Sequence, residues 1–278
     1  MKAECVSEGQ WQARLSLQFE QGPSRTILSK REHEGPLLVQ RPFYPENGVC
    51  HSYIIHPPGG VVGGDQLDIN VRLKKASHAL ITTPGSGKFY NSHGFVAQMN
   101  QTLDVGPDAM LEWLPQDNIF FEGSHTRIKT QINLVDNARF IGWEIACLGR
   151  PFSGREFDSG KCEQYLSLSR NGKHHLVDHS HLNAGHAALT SKWGLAGYSV
   201  SGMLLATTDD KELLGKLREA LSAENDYVFS ATIINDVLVC RFLGSHGETA
   251  RRVFEQAWQM IRPVVAGIES CSPRIWKT

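Results

Sequence analysis

The chain has 278 residues, of which 41% are hydrophobic and 21% are charged, and its formal net charge at pH 7 is -1. This composition predicts a soluble globular protein that buries about three quarters of its unfolded surface. Because acids balance the basic residues, we expect no electrostatic footprint for nucleic acid or for an anionic membrane. No apolar run approaches the roughly 18 residues of a membrane span, and the first residues lack the apolar stretch of a signal peptide, so the sequence predicts a cytoplasmic protein.

Alternation of apolar and polar residues with a period of two runs through most of the chain. The stretches that show it are residues 13–21, 50–56, 67–73, 78–84, 96–105, 109–115, 127–135, 163–170 and 237–244. They are rich in Val, Ile, Leu, Thr or aromatic residues and are bounded by Gly, Pro, Asn or Asp. This pattern is typical of short β-strands.

Two stretches in the last quarter of the chain show helical spacing of apolar residues instead. Residues 209–224 begin with Asp209 and Glu212 in a capping arrangement, and their leucines fall on one face. Residues 245–263 begin with Ser and Glu at capping-box spacing, and we expect this helix to end before Pro263. The sequence therefore predicts a mainly β protein with two α-helices near its C-terminus.

No internal repeat or low-complexity linker divides the chain. The nearest feature to a boundary is the stretch 182–197, whose small residues are typical of a loop. We therefore predict a single domain over residues 1–278, with an irregular joint near 182–197 between a β-rich part and an α+β tail.

The six cysteines are far apart in sequence and form no C-x-x-C pair. In a reducing compartment this spacing predicts free thiols rather than a disulfide framework or a zinc site. The cysteines are Cys5, Cys50, Cys147, Cys162, Cys240 and Cys271.

The stretch HPPGGVVGGDQLDINV, which starts at His56, is dense in proline and glycine. It is not a phosphate-binding P-loop, because Asp65 stands where that motif needs Lys. The later stretch TTPGSGKFYNS also fails, since Thr82 replaces the first glycine and Phe89 replaces the Ser or Thr. Two readings of the first stretch stay open: a rigid corner that presents Asp65, or a simple tight corner or β-bulge.

Hydrolytic motifs are missing from the sequence, which contains neither G-x-S-x-G nor H-E-x-x-H. Several acids nevertheless lie in or beside apolar stretches, where a carboxylate is costly to bury. These acids are Asp65, Glu112, Asp117, Glu122, Glu144 and Glu156. A glycosidase pair of carboxylates and ordinary exposed ion pairs both stay open as explanations.

Six motifs in chain order resemble the UreD family of urease accessory proteins, which is also called UreH. The motifs are QRPFYPE, HPPGGVVGGD, TTPGSGKFY, LEWLPQDNIFFEG, GWEIACLGRP and the C-terminal PRIW. The resemblance implies a non-enzymatic protein of stacked, helically arranged β-sheets in one elongated domain. It also implies binding to a UreF-type accessory protein, through it to a UreG-type GTPase, and docking on apo-urease.

In this family nickel is thought to pass through an internal water-filled tunnel, so the resemblance implies nickel(II) in transit and no permanently bound cofactor. A dimer of the accessory complex stays open. Two other function classes also stay open: a stand-alone metal-binding module, and a glycoside hydrolase with a pair of carboxylates.

Nickel transit suggests a role for single, widely spaced acids, because a conduit must bind the ion weakly enough to release it. We expect Asp65, Glu144 and Glu156 to line the path. Lys88 or Arg150 would then fix neighbouring acids by ion pairs.

A histidine-rich stretch, HHLVDHSHLNAGH, departs from what the family resemblance implies. If it is a strand, His175, His179 and His181 share one face and form a weaker candidate metal site. The alternative is a solvated strand edge whose histidines titrate individually.

The C-terminal motif contains Arg274 and Trp276. We predict that both contribute to partner binding, because aromatic residues and Arg are enriched at interface centres. A C-terminus tied into a sheet would show the same pattern.

Overall fold

The computed structural model describes residues 11–46, 48–150, 153–222 and 226–277. Two β-sheets pack face to face, and helices cover the outer face of the larger sheet. The protein is mainly β, with its helices towards the C-terminus, as the sequence predicts. Among the described residues, no helix is both long enough and apolar enough to span a membrane.

The smaller sheet has seven strands. In spatial order they are β14 (Lys173–Asn183), β13 (Lys161–Arg170), β11 (His125–Leu134), β8 (Ala97–Val105), β5 (Gln66–Leu73), β1 (Gln12–Gln21) and β2 (Thr26–Glu34).

The larger sheet has ten strands. Its main path is β16 (Tyr227–Ile234), β17 (Val237–Gly244), β15 (Val200–Thr207), β12 (Arg139–Leu148), β9 (Met110–Leu114), β6 (His78–Thr82), β4 (Cys50–Ile55) and β3 (Leu38–Val39). Off this path, β10 (Asn118–Phe120) pairs with β12 and with β7 (Gly87–Phe89).

The middle of the chain follows a solenoid-like path in which it passes repeatedly from one sheet to the other. Strands β5, β8, β11 and β13 pair in parallel in the smaller sheet, while β4, β6, β9 and β12 pair in parallel in the larger one. Apart from the short strands β7 and β10, successive strands from β4 to β13 therefore alternate between the two sheets. This is the stacked, helical arrangement that the family resemblance implies.

Stacked turns at one end hold the successive coils in register. Asp108 and Asp136 lie in the left-handed region, with φ of 58° and 52°, which Asp and Asn tolerate better than most residues. The side-chain oxygen of Asn137 accepts a hydrogen bond from the backbone N–H of Asp108 at 2.9 Å. The side-chain oxygen of Asn171 accepts one from the backbone N–H of Asp136, also at 2.9 Å. Each turn is thus bonded to the next.

The helices are α1 (Ala187–Thr190), α2 (Lys211–Ala220) and α3 (Gly247–Ala266), and a 3₁₀ turn spans Arg274–Lys277. The predicted cap of α2 is wrong by one residue. Asp210, not Asp209, is the N-cap, and its carboxylate accepts the N–H of Leu213 at 2.9 Å. Helix α1 lies in the stretch 182–197 and connects β14 of the smaller sheet to β15 of the larger.

Helix α3 differs from prediction at both ends. Its N-cap is His246 rather than Ser245, and it continues past Pro263 to Gly267, whose φ is 73°. A proline inside a helix costs about 3 kcal/mol. The buried side chains of Arg262 and Val265, on either side of Pro263, hold the backbone in the helix despite this cost.

Strand β12 shows how the three layers are built. Phe140, Ala146 and Leu148 belong to the core between the two sheets, whereas Ile141 and Trp143 belong to the core beneath α3. Alternate residues of a strand point to opposite faces, so the larger sheet is buried on both sides. Glu144 therefore lies on the face that meets the smaller sheet.

A buried charge network joins α3 to the larger sheet. Arg262 is fully buried and contacts the carboxylates of Glu112 at 3.0 Å and Glu46 at 2.6 Å. Glu112 also accepts hydrogen bonds from Trp258 Nε1 at 2.6 Å and lies 2.8 Å from His78 Nε2. Each buried charge has an opposite charge beside it, so the network holds the helix in one position.

The prediction for the cysteines is confirmed where it is tested. Cys50, Cys147, Cys162, Cys240 and Cys271 are free thiols. Cys5 lies outside the described residues.

Candidate functional site

Two cavities open between the sheets. The larger, of 530 Å³, lies among β12 to β17 and reaches the exposed Trp193. The smaller, of 450 Å³, lies beneath the proline- and glycine-rich corner and the loop that leads to Lys88. Glu144 lines both cavities, so it lies in the wall of each.

Strand register brings a row of side chains from each sheet to this place. In the smaller sheet, Thr130 pairs with Leu166, which pairs with Asp178. Residues that pair directly across neighbouring strands share a face, so these three side chains form one row towards the interior.

The larger sheet presents a matching row. Glu144 pairs with Met203, which pairs with Arg241. The hydroxyl of Thr130 donates a short hydrogen bond to Glu144, and Nη2 of Arg241 lies 2.6 Å from Oδ1 of Asp178. The two rows therefore face each other and are joined at both ends.

The inner end of the rows continues towards the smaller cavity. Gln101 pairs with Thr130 and donates its side-chain N–H to the Thr130 hydroxyl at 2.9 Å. Gln101 also lines the smaller cavity, together with Trp113. The indole Nε1 of Trp113 is buried and has no hydrogen-bond partner among the described residues. A polar row thus crosses an otherwise apolar interior.

The environment of Glu144 changes its acidity. Burial raises the pKa of its carboxyl to about 7, and the negative charge of Asp178 adds to this, while the hydrogen bond from Thr130 opposes it. At neutral pH the side chain is therefore divided between its protonated and ionised forms. Such a shifted carboxyl in a cavity is typical of functional sites.

Asp65, the acid of the glycine corner, lies near the smaller cavity but does not line it. It is only 5% exposed, and its two oxygens accept the backbone N–H groups of Trp11 and Val62, each at 2.9 Å. Burial lowers the pKa of the neighbouring His56, an effect that the charge of Asp65 opposes. The carboxylate thus stabilises the backbone of the glycine corner through these hydrogen bonds. A role in nickel transit stays a prediction.

The other predicted path residues lie apart from Glu144. Glu156 is exposed on the loop between β12 and β13 and lines neither cavity. Lys88 is exposed and lines the smaller cavity, whereas the guanidinium of Arg150 lies 4.4 Å from the ring centre of Phe121. Neither Lys88 nor Arg150 forms an ion pair with an acid of the described ranges.

The histidine-rich stretch is strand β14, and His179 and His181 lie on the exposed face of the smaller sheet. A β-bulge interrupts the alternation at His175, because Leu176 pairs with Leu168 whereas His174 pairs with Ser169. The rings of His179 and His181 lie 4.2 Å apart, but His175 contacts Asp236 at 2.6 Å instead. Within the described part of the chain, no three His, Cys, Asp or Glu side chains are grouped so that they could hold a metal ion. A metal site at these histidines stays a prediction.

The two residues of the C-terminal motif, Arg274 and Trp276, lie in different environments. Arg274 is exposed, whereas the ring of Trp276 packs 5.8 Å from that of Trp143 and 5.7 Å from that of Trp258. The Trp276 indole also donates a hydrogen bond to Thr82 at 3.1 Å. The C-terminus is thus tied to the larger sheet, and partner binding by either residue stays a prediction.

Sequence reasoning missed three residues of the polar rows: Thr130, Asp178 and Arg241. A signal for Arg241 exists, since it interrupts the apolar strand VLVCRFLG at a position that faces the interior. Asp178 alternates with the histidines that attracted attention. Thr130 carries no such signal, because threonine is ordinary in a strand.

Comparison with known proteins gives one consistent family. The family described as UreD urease accessory protein matches residues 12–277. Proteins named urease accessory protein UreD are similar over most of their length. The one from Janthinobacterium sp. is 46% identical over 96% of this chain and 92% of the relative. The Citrobacter koseri protein is 42% identical over the same shares, and the Klebsiella aerogenes protein is 41% identical over 96% and 97%. The chain therefore belongs to the UreD family of urease accessory proteins.

Proposed function

We propose that this chain is a non-enzymatic maturation factor that helps to deliver nickel to apo-urease, and that the ion passes between its two sheets. The observation that carries the proposal is the position of Glu144, an acid between the sheets that lines both cavities. In this proposal a cation moves from one cavity to the other past this side chain.

The chemistry of the rows suits transit rather than storage. Nickel(II) binds carboxylate and water oxygens, and its affinity for a site rises with the number of ligands. The path offers Glu144 and Asp178 as separate carboxylates with Thr130 and Gln101 as neutral oxygen ligands. Such a sparse set holds the ion briefly, and water completes its coordination.

The proposal includes partners, namely a UreF-type accessory protein, a UreG-type GTPase bound through it, and the urease apoprotein. The names of the relatives support a role in urease maturation. Exposed aromatic side chains support binding to other proteins: Trp193 is 73% exposed and Phe95 is 56% exposed. Trp193 lines the larger cavity, so a partner bound there would lie at one end of the path.

The test is activation of apo-urease at limiting nickel by the chain together with its UreF- and UreG-type partners. We expect Glu144→Gln to reduce activation by about tenfold, because the change removes the negative charge of this ligand while the side chain keeps its size and shape. The matched control is Asp104→Asn, which neutralises an acid on the outer face of the smaller sheet.

Complex formation is measured by pull-down for each variant in the same samples. Reduced activation by Glu144→Gln in an intact complex, with Asp104→Asn unchanged, supports the proposal. Full activation by Glu144→Gln would show that nickel does not pass this carboxylate.

A further inference from the structure

Arg241 is a charged residue on an apolar face. Its neighbours on that face of β17 are Val237 and Val239, which are 1% exposed, and Leu243, which is half-buried. A long charged side chain at the edge of such a face packs its stem against the apolar residues and keeps its charged end in water or beside an opposite charge. The guanidinium reaches the larger cavity, where 52% of the side chain is exposed.

The partner of Arg241 is Asp178. Their closest atoms lie 2.6 Å apart, and the Asp178 side chain is 28% exposed. Asp178 in turn acts on Glu144, since its charge adds to the raised pKa of that carboxyl. The two rows thus contain two carboxylates, Glu144 and Asp178, and one guanidinium, Arg241. The guanidinium forms an ion pair with Asp178, the outer of the two carboxylates.

We propose that Arg241 is the resident cation of the path: it occupies Asp178 while the path is empty, and an arriving divalent cation reaches Asp178 only by displacing it. This inference rests on the proposed function. It assigns Arg241 a positioning role, because the residue acts on the cation through Asp178. The consequence is that Arg241 weakens cation binding and so prevents the path from trapping its cargo.

If Arg241 only stabilised the fold, replacing it would not change nickel affinity, and a control arginine pair outside the cavities tests this. A second arginine pair, Arg72 with Asp104, lies on the outer face of the smaller sheet, with exposed fractions of 61% and 36% and a closest distance of 3.4 Å. Exposed pairs of this kind contribute little to stability. Neither residue lines the two cavities between the sheets, so Arg72 is the matched control.

The experiment measures binding of nickel chloride to the full-length chain by equilibrium dialysis, without urease. We expect Arg241→Gln to bind nickel about tenfold more tightly than wild type, because the outer carboxylate loses its competing charge. Arg241→Lys keeps a cation at this place and should stay within about twofold of wild type, and so should Arg72→Gln. The double variant Arg241→Gln with Asp178→Asn should lose the gain. Thermal unfolding of each variant confirms that it is folded.

Unchanged nickel affinity in folded Arg241→Gln would overturn the inference, and so would an equal gain in Arg72→Gln. These outcomes are separate from the fate of the proposed function, which the activation assay with Glu144→Gln decides. If Glu144→Gln impairs activation while Arg241→Gln leaves binding unchanged, the path stands and the resident cation does not. If Arg241→Gln tightens binding while Glu144→Gln activates urease fully, the competition for Asp178 is real but does not serve delivery.

Discussion

At the scale of single residues, Glu144 and Glu112 are both buried carboxyls with opposite fates. Burial raises the pKa of Glu144, and only the Thr130 hydroxyl favours its ionised form. Burial also acts to raise the pKa of Glu112, but hydrogen bonding to His78 and the charges of His78 and Arg262 lower it to about 2. The difference follows from the partners, because only Glu112 has cations beside it.

Glu144→Gln should change how stability depends on pH. Between pH 4.5 and about 7 the unfolded wild-type chain releases this proton while the folded chain keeps it, so its free energy of unfolding falls as pH rises. Glutamine does not titrate, so the free energy of unfolding of the variant should rise relative to that of wild type by about 3 kcal/mol across this window. Above the window the difference should stay constant. Urea unfolding of both proteins from pH 5 to 8 measures the difference. A difference that does not vary with pH would contradict the raised pKa.

Glu112→Gln should destabilise the protein strongly at pH 7. The change removes the fully buried one of the two carboxylates that contact Arg262 and leaves only Glu46, and breaking a buried charge pair costs about 3–5 kcal/mol. Since the folded pKa is lowered, the wild-type carboxylate contributes fully above pH 4.5, and its contribution is lost as pH falls towards 2. The control Glu32→Gln, in an exposed pair with Lys30, should change stability by less than about 1 kcal/mol. Equal effects of the two changes would rule out the buried network as an anchor.

At the scale of elements, α3 shows where local signals compete with packing. The sequence predicts a helix here correctly, but Pro263 is a local stop signal that tertiary contacts override. Strands β5, β8 and β9 were predicted within a residue or two, because alternation reports directly on burial. The short strands β7 and β10 lack enough residues to show any period.

Pro263→Ala should stabilise the protein, by about 1–3 kcal/mol, because it restores a helical N–H donor inside α3. Thermal unfolding measures the change, with the exposed Val264→Ala as a control expected to fall within about 0.5 kcal/mol of wild type. A lower melting temperature for Pro263→Ala would mean that the proline ring packs more favourably than the lost hydrogen bond costs.

At the scale of the whole molecule, the stacked strands enclose the two cavities between the sheets and leave apolar side chains on the surface. Trp193 is the most exposed of the large apolar residues described, at 73%. Tryptophan is enriched at surfaces that other proteins cover.

We therefore expect the isolated chain to self-associate in concentrated solution, and Trp193→Ser to reduce that association. Light scattering during size-exclusion chromatography gives the average mass of each sample. The control is Val135→Ser, which changes an apolar residue that is 41% exposed in a turn of the coil. An average mass that Trp193→Ser leaves unchanged would contradict this role.

By itself, the sequence determined the mainly β fold with helices near the C-terminus, the free thiols and the family, because alternation, capping residues and motifs in register are local features of the chain. It also indicated Glu144, since an acid inside an apolar strand is costly. Only the tertiary structure decided that Glu144 lines two cavities, that Asp65 bonds to the backbone of its own corner, and that Arg241 forms an ion pair with Asp178. These relations depend on the pairing register of strands that are distant in sequence, and a shift of one residue would turn every side chain to the opposite face.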